Sequence, residues 1–543
     1  MPLKKRNRSE QTKKIAGLLL GIIGFLLPLL VNFPGLSFAG HLALGIFLMA
    51  AVFWMFETLP IYSTSMLVIF MQVTLLSQQG IIYSDTALPK TPVISHIDGI
   101  WEVPSKAVDG NRVYVAEDSR NYTPIEVNVL EWGETVKVSS DALTADTKIV
   151  SDIRHKLVGY KPVSFSNFFG TLASPIIILF LGGFMLASAS VKYNLDKNLT
   201  NVLLKPFGEK PVFIVMGLMM VTAALSAFMS NTATTAMMMT VAIPIARQID
   251  MKDKFRIMLT LSIPIAANIG GMATPIGTPP NAIVIANLSQ QGINIAFGTW
   301  VALMLPLAIG LLLLAWATMR FFYPPTLERF KMELKSRFDR STNAVILYFV
   351  FGITVLLWFT EASHGIPSAM IAFIPIVTLT ITSVLTKDDI RALPWEVLWL
   401  VAGGISLGIS MENTGLAMWL VSSISWELLP QLALLLVFGL VALMLSNFLS
   451  NTVTATLLVP LAVSLGTAGI AGEGFSLIIT SLVIGSACNM AMLLPISTPP
   501  NAIAMSTGYI HTSDMVKVGA VIGIIGIASA LVLATFYWPV IIN

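Results

Sequence analysis

SNTATT, from Ser230 to Thr235, places polar residues inside an apolar run, and SNTVTAT repeats it from Ser450. Apolar runs of 18 residues or more recur along the chain, and 55% of its 543 residues are hydrophobic while only 11% are charged. Runs of this length predict membrane-spanning helices. Because the runs do not alternate between polar and apolar residues, they predict a helical bundle and exclude a closed β-barrel.

Composition also argues against several kinds of site. The single cysteine, Cys488, lies in an apolar run, which excludes a disulfide framework and a cysteine-based metal site. The sequence contains no H-E-x-x-H zinc motif, and we predict no nucleophile elbow and no acid–base pair in the membrane runs. The chain is therefore not expected to be an enzyme, and no organic cofactor is expected.

The apolar runs give a series of candidate spans. They lie near residues 15–31, 41–59, 61–77, 168–190, 211–246, 256–289, 298–322, 343–360, 366–385, 394–411, 431–466, 476–505 and 516–541. The runs at 211–246 and 431–466 are too long for one span and too short for two comfortable ones. We therefore interpret each as a re-entrant hairpin, which enters the membrane and returns to the same side.

The basic residues support this topology. With both hairpins re-entrant, the basic clusters at 192–210, 247–256 and 320–340 fall on the side of the N-terminal KKRNR. The loops SQQGINIAFG and EASHGIP, on the opposite side, contain no Lys or Arg. Because cytoplasmic loops are enriched in Lys and Arg, this pattern predicts a cytoplasmic N-terminus in a multi-pass protein of the cell (inner) membrane.

A polar segment interrupts the spans at residues 79–165. Its pieces NRVYVAED, IEVNVLEW and TVKVSS alternate as half-buried strands do. The segment is predicted to be a small extracytoplasmic β-rich insertion. Its role stays open between a binding lid and a structural or dimer-stabilising element.

A second pair of motifs shows that the chain is duplicated. PIGTPPNAI at 275–283 returns as PISTPPNAI at 495–503, at the offset of 220 residues that also separates Ser230 from Ser450. The predicted order is N-terminal scaffold spans 1–78, the insertion, a first repeat at 166–319, a basic cytoplasmic linker at 320–342 and a second repeat at 343–543. The fold class is thus an all-α polytopic membrane protein with two inverted-topology repeats, re-entrant hairpins and broken helices.

The motifs suit an anion and a cation together. Two successive prolines break each helix at Thr-Pro-Pro-Asn and leave amide N–H groups and carbonyls exposed. The N–H groups suit an anion, while carbonyl, Ser, Thr and Asn oxygens suit Na⁺. No Arg, Lys or His lies in the motif regions, so co-bound cations would have to compensate a buried anion. A lone Ser-Asn-Thr would more simply be structural, and its duplication with the second motif favours function.

Paired Ser-Asn-Thr motifs, each followed by Thr-Pro-Pro-Asn, resemble the divalent anion:sodium symporters, a family of dicarboxylate, citrate and sulfate carriers. The resemblance implies a homodimer of eleven-span protomers in the lipid bilayer, with a transport domain that moves as an elevator against a scaffold domain. It implies Na⁺ as coupling ion, a small anion as substrate and no nucleic acid partner. The large insertion departs from the family, as does Val191, where the family often has Glu.

The resemblance also implies site residues. The substrate site would comprise Ser230, Asn231, Thr232, Thr278, Pro279, Ser450, Asn451, Thr452, Thr498 and Pro499. One Na⁺ site would use Ser226, Ser230, Asn231 and the break at Gly277, and a second would use Ser446, Asn451 and the break at Ser497.

The expected function is Na⁺-coupled symport of a C4-dicarboxylate such as succinate, malate or fumarate. The alternatives within transport are a Na⁺-independent dicarboxylate exchanger and a Na⁺-coupled citrate or sulfate carrier. A receptor that senses through the insertion is the alternative from another class.

Overall fold

The computed structural model describes residues 8–31, 33–81, 90–92, 95–97, 99–117, 122–133, 135–152, 160–250, 253–329, 338–422, 430–467 and 476–542. Among these residues, seven helical segments are long and apolar enough to cross a membrane. They are Thr12–Leu30, Phe38–Phe56, Phe165–Lys192, Phe297–Phe322, Thr342–Phe359, Gln431–Phe448 and Thr512–Phe536. This confirms the prediction of a mainly helical, multi-pass membrane protein.

The helices are numbered in chain order. They are α1 (Arg8–Leu30), α2 (Phe38–Phe56), α3 (Ile61–Leu76), α4 (Phe165–Gly170), α5 (Pro175–Lys192), α6 (Leu195–Leu204), α7 (Pro211–Ser226), α8 (Asn231–Gln248), α9 (Phe255–Gly271), α10 (Pro279–Gln290), α11 (Phe297–Phe322), α12 (Thr342–Phe359), α13 (Glu361–His364), α14 (Ser368–Ile371), α15 (Phe373–Ile381), α16 (Lys387–Arg391), α17 (Trp395–Asn413), α18 (Leu416–Ser422), α19 (Gln431–Phe448), α20 (Asn451–Thr467), α21 (Leu477–Met490), α22 (Pro499–Ser506), α23 (Thr512–Phe536) and α24 (Trp538–Ile542).

The chain forms two compact units. The first contains Met1–Thr171, Ala402–Leu428 and Ser464–Gly472, and the second contains Leu172–Val401, Leu429–Val463 and Glu473–Asn543. All the site residues predicted from the motifs belong to the second unit.

The first unit includes the predicted β-rich insertion. Its strands are β1 (Lys90–Pro92), β2 (Ser95–Ile97), β3 (Ile100–Pro104), β4 (Val108–Asp109), β5 (Arg112–Ala116), β6 (Tyr122–Glu126), β7 (Asn128–Glu131), β8 (Thr135–Ser139) and β9 (Lys148–Val150). One antiparallel sheet has the order β1-β9-β5-β4, with β6 paired to β5, and the other has the order β2-β3-β8-β7. Alternate residues such as Val103, Val113 and Val136 are fully buried in one core shared by both sheets. The small sheets confirm the prediction of β structure in this segment.

A polar contact joins α3 and α17 inside the first unit. The Gln72 amide donates to Ser410 Oγ at 2.9 Å and to the Ser406 carbonyl at 3.2 Å, and the Ser406 hydroxyl donates back to Gln72. Residues 404–408 read G-I-S-L-G, which matches the letters of the G-x-S-x-G hydrolase motif. Because Ser406 lies in mid-helix with its hydroxyl bonded to Gln72, it lacks the sharp strand-to-helix turn of a nucleophile elbow.

Two helical hairpins in the second unit carry the Ser-Asn-Thr motifs. Helices α7 and α8 are joined by residues 227–230, and α19 and α20 by residues 449–450. Both turns fall where the sequence predicts the hairpin tips. Whether the hairpins re-enter a bilayer stays a prediction.

The second unit also contains the two predicted helix breaks. Helix α9 ends at Gly271 and α10 begins at Pro279, while α21 ends at Met490 and α22 begins at Pro499. Thr278 and Thr498 have extended backbones because the following proline disfavours a helical conformation before it. Proline then begins each new helix, where an amide N–H would have no helical partner.

Elements of the two repeats pack on one another within this unit. Helix α9 contacts both arms of the first hairpin, α7 and α8, and α21 contacts α19 of the second. Across the repeats, α22 contacts α8 and α9, and α10 contacts α21. The break of each repeat is therefore supported by helices of the other.

Candidate functional site

Each hairpin tip is closed by the serine of its motif. Ser230 caps α8 by accepting a hydrogen bond from the amide of Ala233 at 3.5 Å, and Ser450 caps α20 by accepting from Val453 at 3.2 Å. Asn231 and Asn451 are the first residues of these two helices. The motif thus brings its Asn side chain and the positive end of a helix to the same place.

Oxygen atoms converge around Asn231. Its side-chain amide meets Ser226 Oγ at 2.6 Å, and the same end of the amide lies 3.2 Å from the carbonyl oxygen of Gly277 and 3.3 Å from that of Ala267. An amide nitrogen in this position has two hydrogens to donate among the three oxygens. An amide oxygen there completes a set of four oxygens, which is a ligand set for Na⁺.

The first cluster requires glycine at 277. A Cβ added to Gly277 would lie 2.3 Å from the carbonyl oxygen of Gly271, so no side chain fits. This close approach brings the Gly277 carbonyl next to Asn231. The structure therefore brings together Ser226, Asn231 and Gly277 of the four residues expected at the first Na⁺ site, whereas the Ser230 hydroxyl caps α8. It adds the Ala267 carbonyl, which sequence reasoning missed because a backbone oxygen leaves no signal in residue type. Binding of Na⁺ by this cluster stays a prediction.

The second hairpin has a corresponding cluster. The Ser446 hydroxyl lies 2.8 Å from Asn451 Oδ1 and 3.3 Å from the carbonyl oxygen of Cys488, at the end of α21. The Ser497 hydroxyl donates to the carbonyl of Asn447 at 2.9 Å, so this side chain anchors the break to the hairpin arm. The Cys488 carbonyl is a further oxygen that sequence reasoning did not identify.

Both breaks are tied to the same point of their hairpins, by different donors. In the first repeat the Thr274 hydroxyl donates to the Ala227 carbonyl, and in the second Ser497 donates to the Asn447 carbonyl. Ala227 and Asn447 are equivalent at the 220-residue offset, whereas Thr274 and Ser497 are not. Because position 277 has no room for a side chain, the first repeat has to place its hydroxyl elsewhere in the break.

The asparagine of each Thr-Pro-Pro-Asn motif stabilises its own break. The Asn281 amide donates to the carbonyls of Thr274 at 2.7 Å and Gly271 at 3.0 Å. The Asn501 amide donates to those of Leu494 at 3.0 Å and Met492 at 3.1 Å. These two residues were not among the predicted site residues, although their presence in both motif copies is a signal that could have identified them.

Two further asparagines reach across the repeats. Asn268 on α9 donates to Thr498 Oγ1 at 3.1 Å and to Asn501 Oδ1 at 3.4 Å. Asn489 on α21 donates to Asn281 Oδ1 at 3.0 Å. All four asparagine side chains are at most 2% exposed. Sequence reasoning missed this pair, which is detectable only as two amides in apolar runs at an offset of 221 residues.

The remaining predicted substrate residues lie beside these clusters. Thr278 and Thr498 are both 4% exposed, and each immediately precedes a helix that begins with proline. Thr452 is nearly buried and Thr232 is exposed, while Pro279 is half-buried and Pro499 exposed. Contact of these six residues and the two capping serines with an anion stays a prediction.

Comparison with known proteins identifies the family. Residues 150–485 match the model of the citrate transporter family CitMHS. The chain belongs to this family of transporters. That assignment confirms the resemblance to the divalent anion:sodium symporters and the prediction that the protein transports and is not an enzyme.

Three relatives with given names are similar to this chain. The sodium-dependent high-affinity dicarboxylate transporter 3 of Caenorhabditis elegans is 31% identical over 66% of this chain and 73% of its own length. The sodium-dependent dicarboxylate transporter SdcS of Staphylococcus saprophyticus is 29% identical over 68% and 77%, respectively. The inorganic phosphate transporter PHO87 of Saccharomyces cerevisiae is 30% identical over 70% of this chain and 41% of its own.

Proposed function

We propose that this transporter couples Na⁺ to the movement of a divalent anion, with a C4-dicarboxylate such as succinate, malate or fumarate as substrate. The observation that carries the proposal is at the Asn231 side-chain amide. Ser226 Oγ and the carbonyl oxygens of Gly277 and Ala267 all lie within 3.3 Å of one end of this amide. Neutral hard oxygens at a helix break are the ligands that Na⁺ takes in transporters of this kind. The second cluster at Ser446 and Asn451 supports a second Na⁺ site.

The charge balance of the site supports coupling. The side chains around both clusters are Ser, Thr, Asn and Gly, and none of the described contacts there comes from Lys, Arg or His. Burying a dianion without compensation is costly. The helix ends at Asn231, Asn451, Pro279 and Pro499 supply partial positive charge, and two co-bound Na⁺ ions would supply the remainder.

The identity of the substrate rests on the relatives. Two of the three are named as sodium-dependent dicarboxylate transporters, while the third is named as an inorganic phosphate transporter. Citrate, sulfate and phosphate are therefore the competing anions. Exchange of dicarboxylates without Na⁺ is the competing mechanism.

For the transport cycle we propose alternating access by an elevator motion of inverted repeats in a homodimer. The duplicated hairpins and breaks support this proposal, because a binding site formed by two equivalent halves can face either side of the membrane. In the cell membrane the N-terminus would be cytoplasmic and the β-rich insertion extracytoplasmic, as the distribution of Lys and Arg predicts.

Proteoliposomes test the proposal. Labelled succinate uptake is measured under an inward Na⁺ gradient and under an equal K⁺ gradient, with empty liposomes as control. We expect uptake with Na⁺ and background uptake with K⁺. Equal uptake with the two cations would refute symport, and a requirement for internal succinate would indicate exchange. Unlabelled citrate, sulfate, phosphate, malate and fumarate are then compared as inhibitors of succinate uptake. If citrate, sulfate or phosphate inhibits at a lower concentration than malate and fumarate, that anion is the better candidate for the substrate.

A further inference from the structure

The hydroxyl of Thr498 accepts two hydrogen bonds. One comes from the amide N–H of Asn501 at 3.3 Å, in the first turn of α22. The other comes from the side-chain amide of Asn268 at 3.1 Å, on α9 of the other repeat. A threonine hydroxyl has two acceptor lone pairs and one donor hydrogen. With both lone pairs engaged, Thr498 can offer a ligand only its O–H.

Thr278, the equivalent residue in the first repeat, is not held in this way. Its side chain makes no capping hydrogen bond to the first turn of α10. The residue aligned with Asn268 at the 220-residue offset is Cys488, which is not an amide donor. The duplicated site is therefore asymmetric at this position.

We infer that Asn268 is a positioning residue that makes Thr498 an obligate hydrogen-bond donor to the transported anion. This inference rests on the proposed function, since it takes Thr498 to face the anion. Asn268 is 2% exposed and also reaches Asn501 Oδ1 at 3.4 Å, so its amide is fixed by two partners of the second repeat.

The consequence is selectivity for an ionised oxygen. A donor-only hydroxyl favours a carboxylate or other anionic oxygen, and it disfavours a protonated group that must itself donate. The site would therefore recognise the fully ionised dicarboxylate in preference to the monoprotonated form. As the pH is lowered, the apparent affinity for total succinate would therefore decrease in proportion to the fraction of succinate that is the dianion.

A double-mutant cycle tests the inference on the full-length protein. Succinate half-saturation is measured at saturating Na⁺ for wild type, Asn268→Leu, Thr498→Val and the double variant. A hydrogen bond to a charged group is worth enough that each single variant should raise the half-saturation concentration about tenfold. In the Thr498→Val background, Asn268→Leu should add less than about twofold, because both residues act on the anion through the Thr498 hydroxyl.

Two controls separate this role from a structural one. Asn287 is 2% exposed, and its amide donates at 2.8 Å to Ile283 on its own helix, so Asn287→Leu should leave succinate half-saturation unchanged. Thr498→Ser keeps the hydroxyl and should stay near wild type. If Asn268→Leu does not fold, Asn268→Cys replaces it in the cycle, because cysteine is the residue of the aligned position in the other repeat.

The outcomes are distinct. Additive effects of the Asn268 and Thr498 variants on succinate half-saturation would overturn the inference. It would also be overturned if succinate half-saturation of Asn268→Leu followed the dianion fraction between pH 5 and 8 just as it does in wild type. A wild-type protein that neither binds nor transports succinate would instead refute the proposed function. Na⁺ half-saturation measured at saturating succinate should stay within about twofold in all these variants, because neither residue belongs to the oxygen clusters at Asn231 and Asn451.

Discussion

The side-chain amide of Asn489 donates to Oδ1 of Asn281 at 3.0 Å, so a helix of the second repeat supports the helix break of the first. Asn268 makes the reciprocal contact to Asn501 at 3.4 Å. Since Asn281 and Asn501 in turn bind the carbonyls freed by their breaks, each break depends on the opposite repeat. The two repeats are therefore linked by side chains as well as by helix packing.

Asn489→Leu should destabilise the protein through this link. The substitution leaves Oδ1 of buried Asn281 without its donor, which costs about 1–3 kcal/mol. We expect a lower midpoint of thermal unfolding in detergent, at saturating Na⁺. Asn287→Leu is the matched control, and its loss should be smaller because the Ile283 carbonyl can keep its helical partner. Equal losses in the two variants would contradict the cross-repeat role of Asn489.

Gly277→Ala should damage the first oxygen cluster selectively. The new Cβ would lie 2.3 Å from the Gly271 carbonyl oxygen, and overpacking of this kind costs about 1–3 kcal/mol. The break has to shift, and the Gly277 carbonyl moves away from Asn231. We expect the rise in unfolding temperature on addition of NaCl to shrink relative to wild type. Ser497→Ala, at the equivalent position, adds no atom to the break. It removes a hydroxyl that donates to the Asn447 carbonyl at 2.9 Å and accepts from the Leu494 amide at 3.2 Å, which should cost about 1–3 kcal/mol. If NaCl raises the unfolding temperature of Gly277→Ala as much as that of wild type, Na⁺ does not bind at the first oxygen cluster.

Asn231→Ala and Asn451→Ala should each weaken both Na⁺ and anion binding. Each Asn contacts a serine of an oxygen cluster and also begins a helix at the hairpin tip. We expect half-saturation concentrations for both Na⁺ and succinate to rise about tenfold or more. Asn413→Ala removes an amide that donates to its own helix at 2.8 Å and should change neither value. Unchanged Na⁺ dependence in both site variants would refute the shared-site proposal.

Removal of the β-rich insertion should leave transport intact. The two ends of the segment lie next to each other, since the backbone amide of Gln78 donates to the carbonyl of Val163 at 2.9 Å and Ser77 pairs with Val163. A short Gly-Ser linker in place of residues 80–162 can therefore close the chain. Na⁺-dependent succinate uptake that survives this deletion would exclude a receptor that works through the insertion. Uptake lost from a deletion variant with a wild-type unfolding temperature would assign the insertion a role in transport.

Sequence patterns predict some features of this protein and leave others out for physical reasons. Apolar runs, the charge distribution and the doubled motifs predict the helical membrane fold, the two hairpin turns and the two breaks, because each has a signature in residue type. Alternating residues such as Val136 and Val138 likewise predict strands in the insertion. The carbonyls of Ala267 and Cys488 were missed because a backbone oxygen has no such signature.

The cross-repeat contacts were missed for a different reason. Asn268 and Asn489 are single amides in apolar helices, and they stand one position out of register at the 220-residue offset. Their partners lie 233 and 208 residues away in the chain, so only the packing of one repeat on the other brings them together. The use of Thr274 in one repeat and Ser497 in the other could not be predicted from the sequence either. It follows from the lack of space for a side chain at Gly277, which is visible only in the folded break.

Asp253 provides a prediction of pH dependence outside the membrane spans. It lies in the loop before α9 and accepts hydrogen bonds from the Thr326 hydroxyl at 2.6 Å and from the amides of Phe255 at 2.9 Å and of Thr326 and Leu327 at 3.2 Å each. Burial raises the pKa of its carboxyl, but the bonds from Thr326, Phe255 and Leu327 outweigh burial and hold the pKa below its usual value. The ionised carboxylate therefore ties this loop to the start of the linker after α11.

The sign of the effect follows from the lowered pKa. Stability from Asp253 is fully present above the pKa of an unfolded Asp, about 3.9, and is lost as pH falls through the lower folded value. Asp253→Asn removes one carboxylate acceptor and should cost about 1–3 kcal/mol at pH 7. The difference in unfolding temperature between wild type and Asp253→Asn should stay constant from pH 7 to about pH 5 and narrow as the pH falls from about 4 to 3. Asp388→Asn is the control, since its contact with Arg391 is exposed and should contribute little at any pH. A difference that stays constant down to about pH 3 would show that the charge of Asp253 does not stabilise the loop.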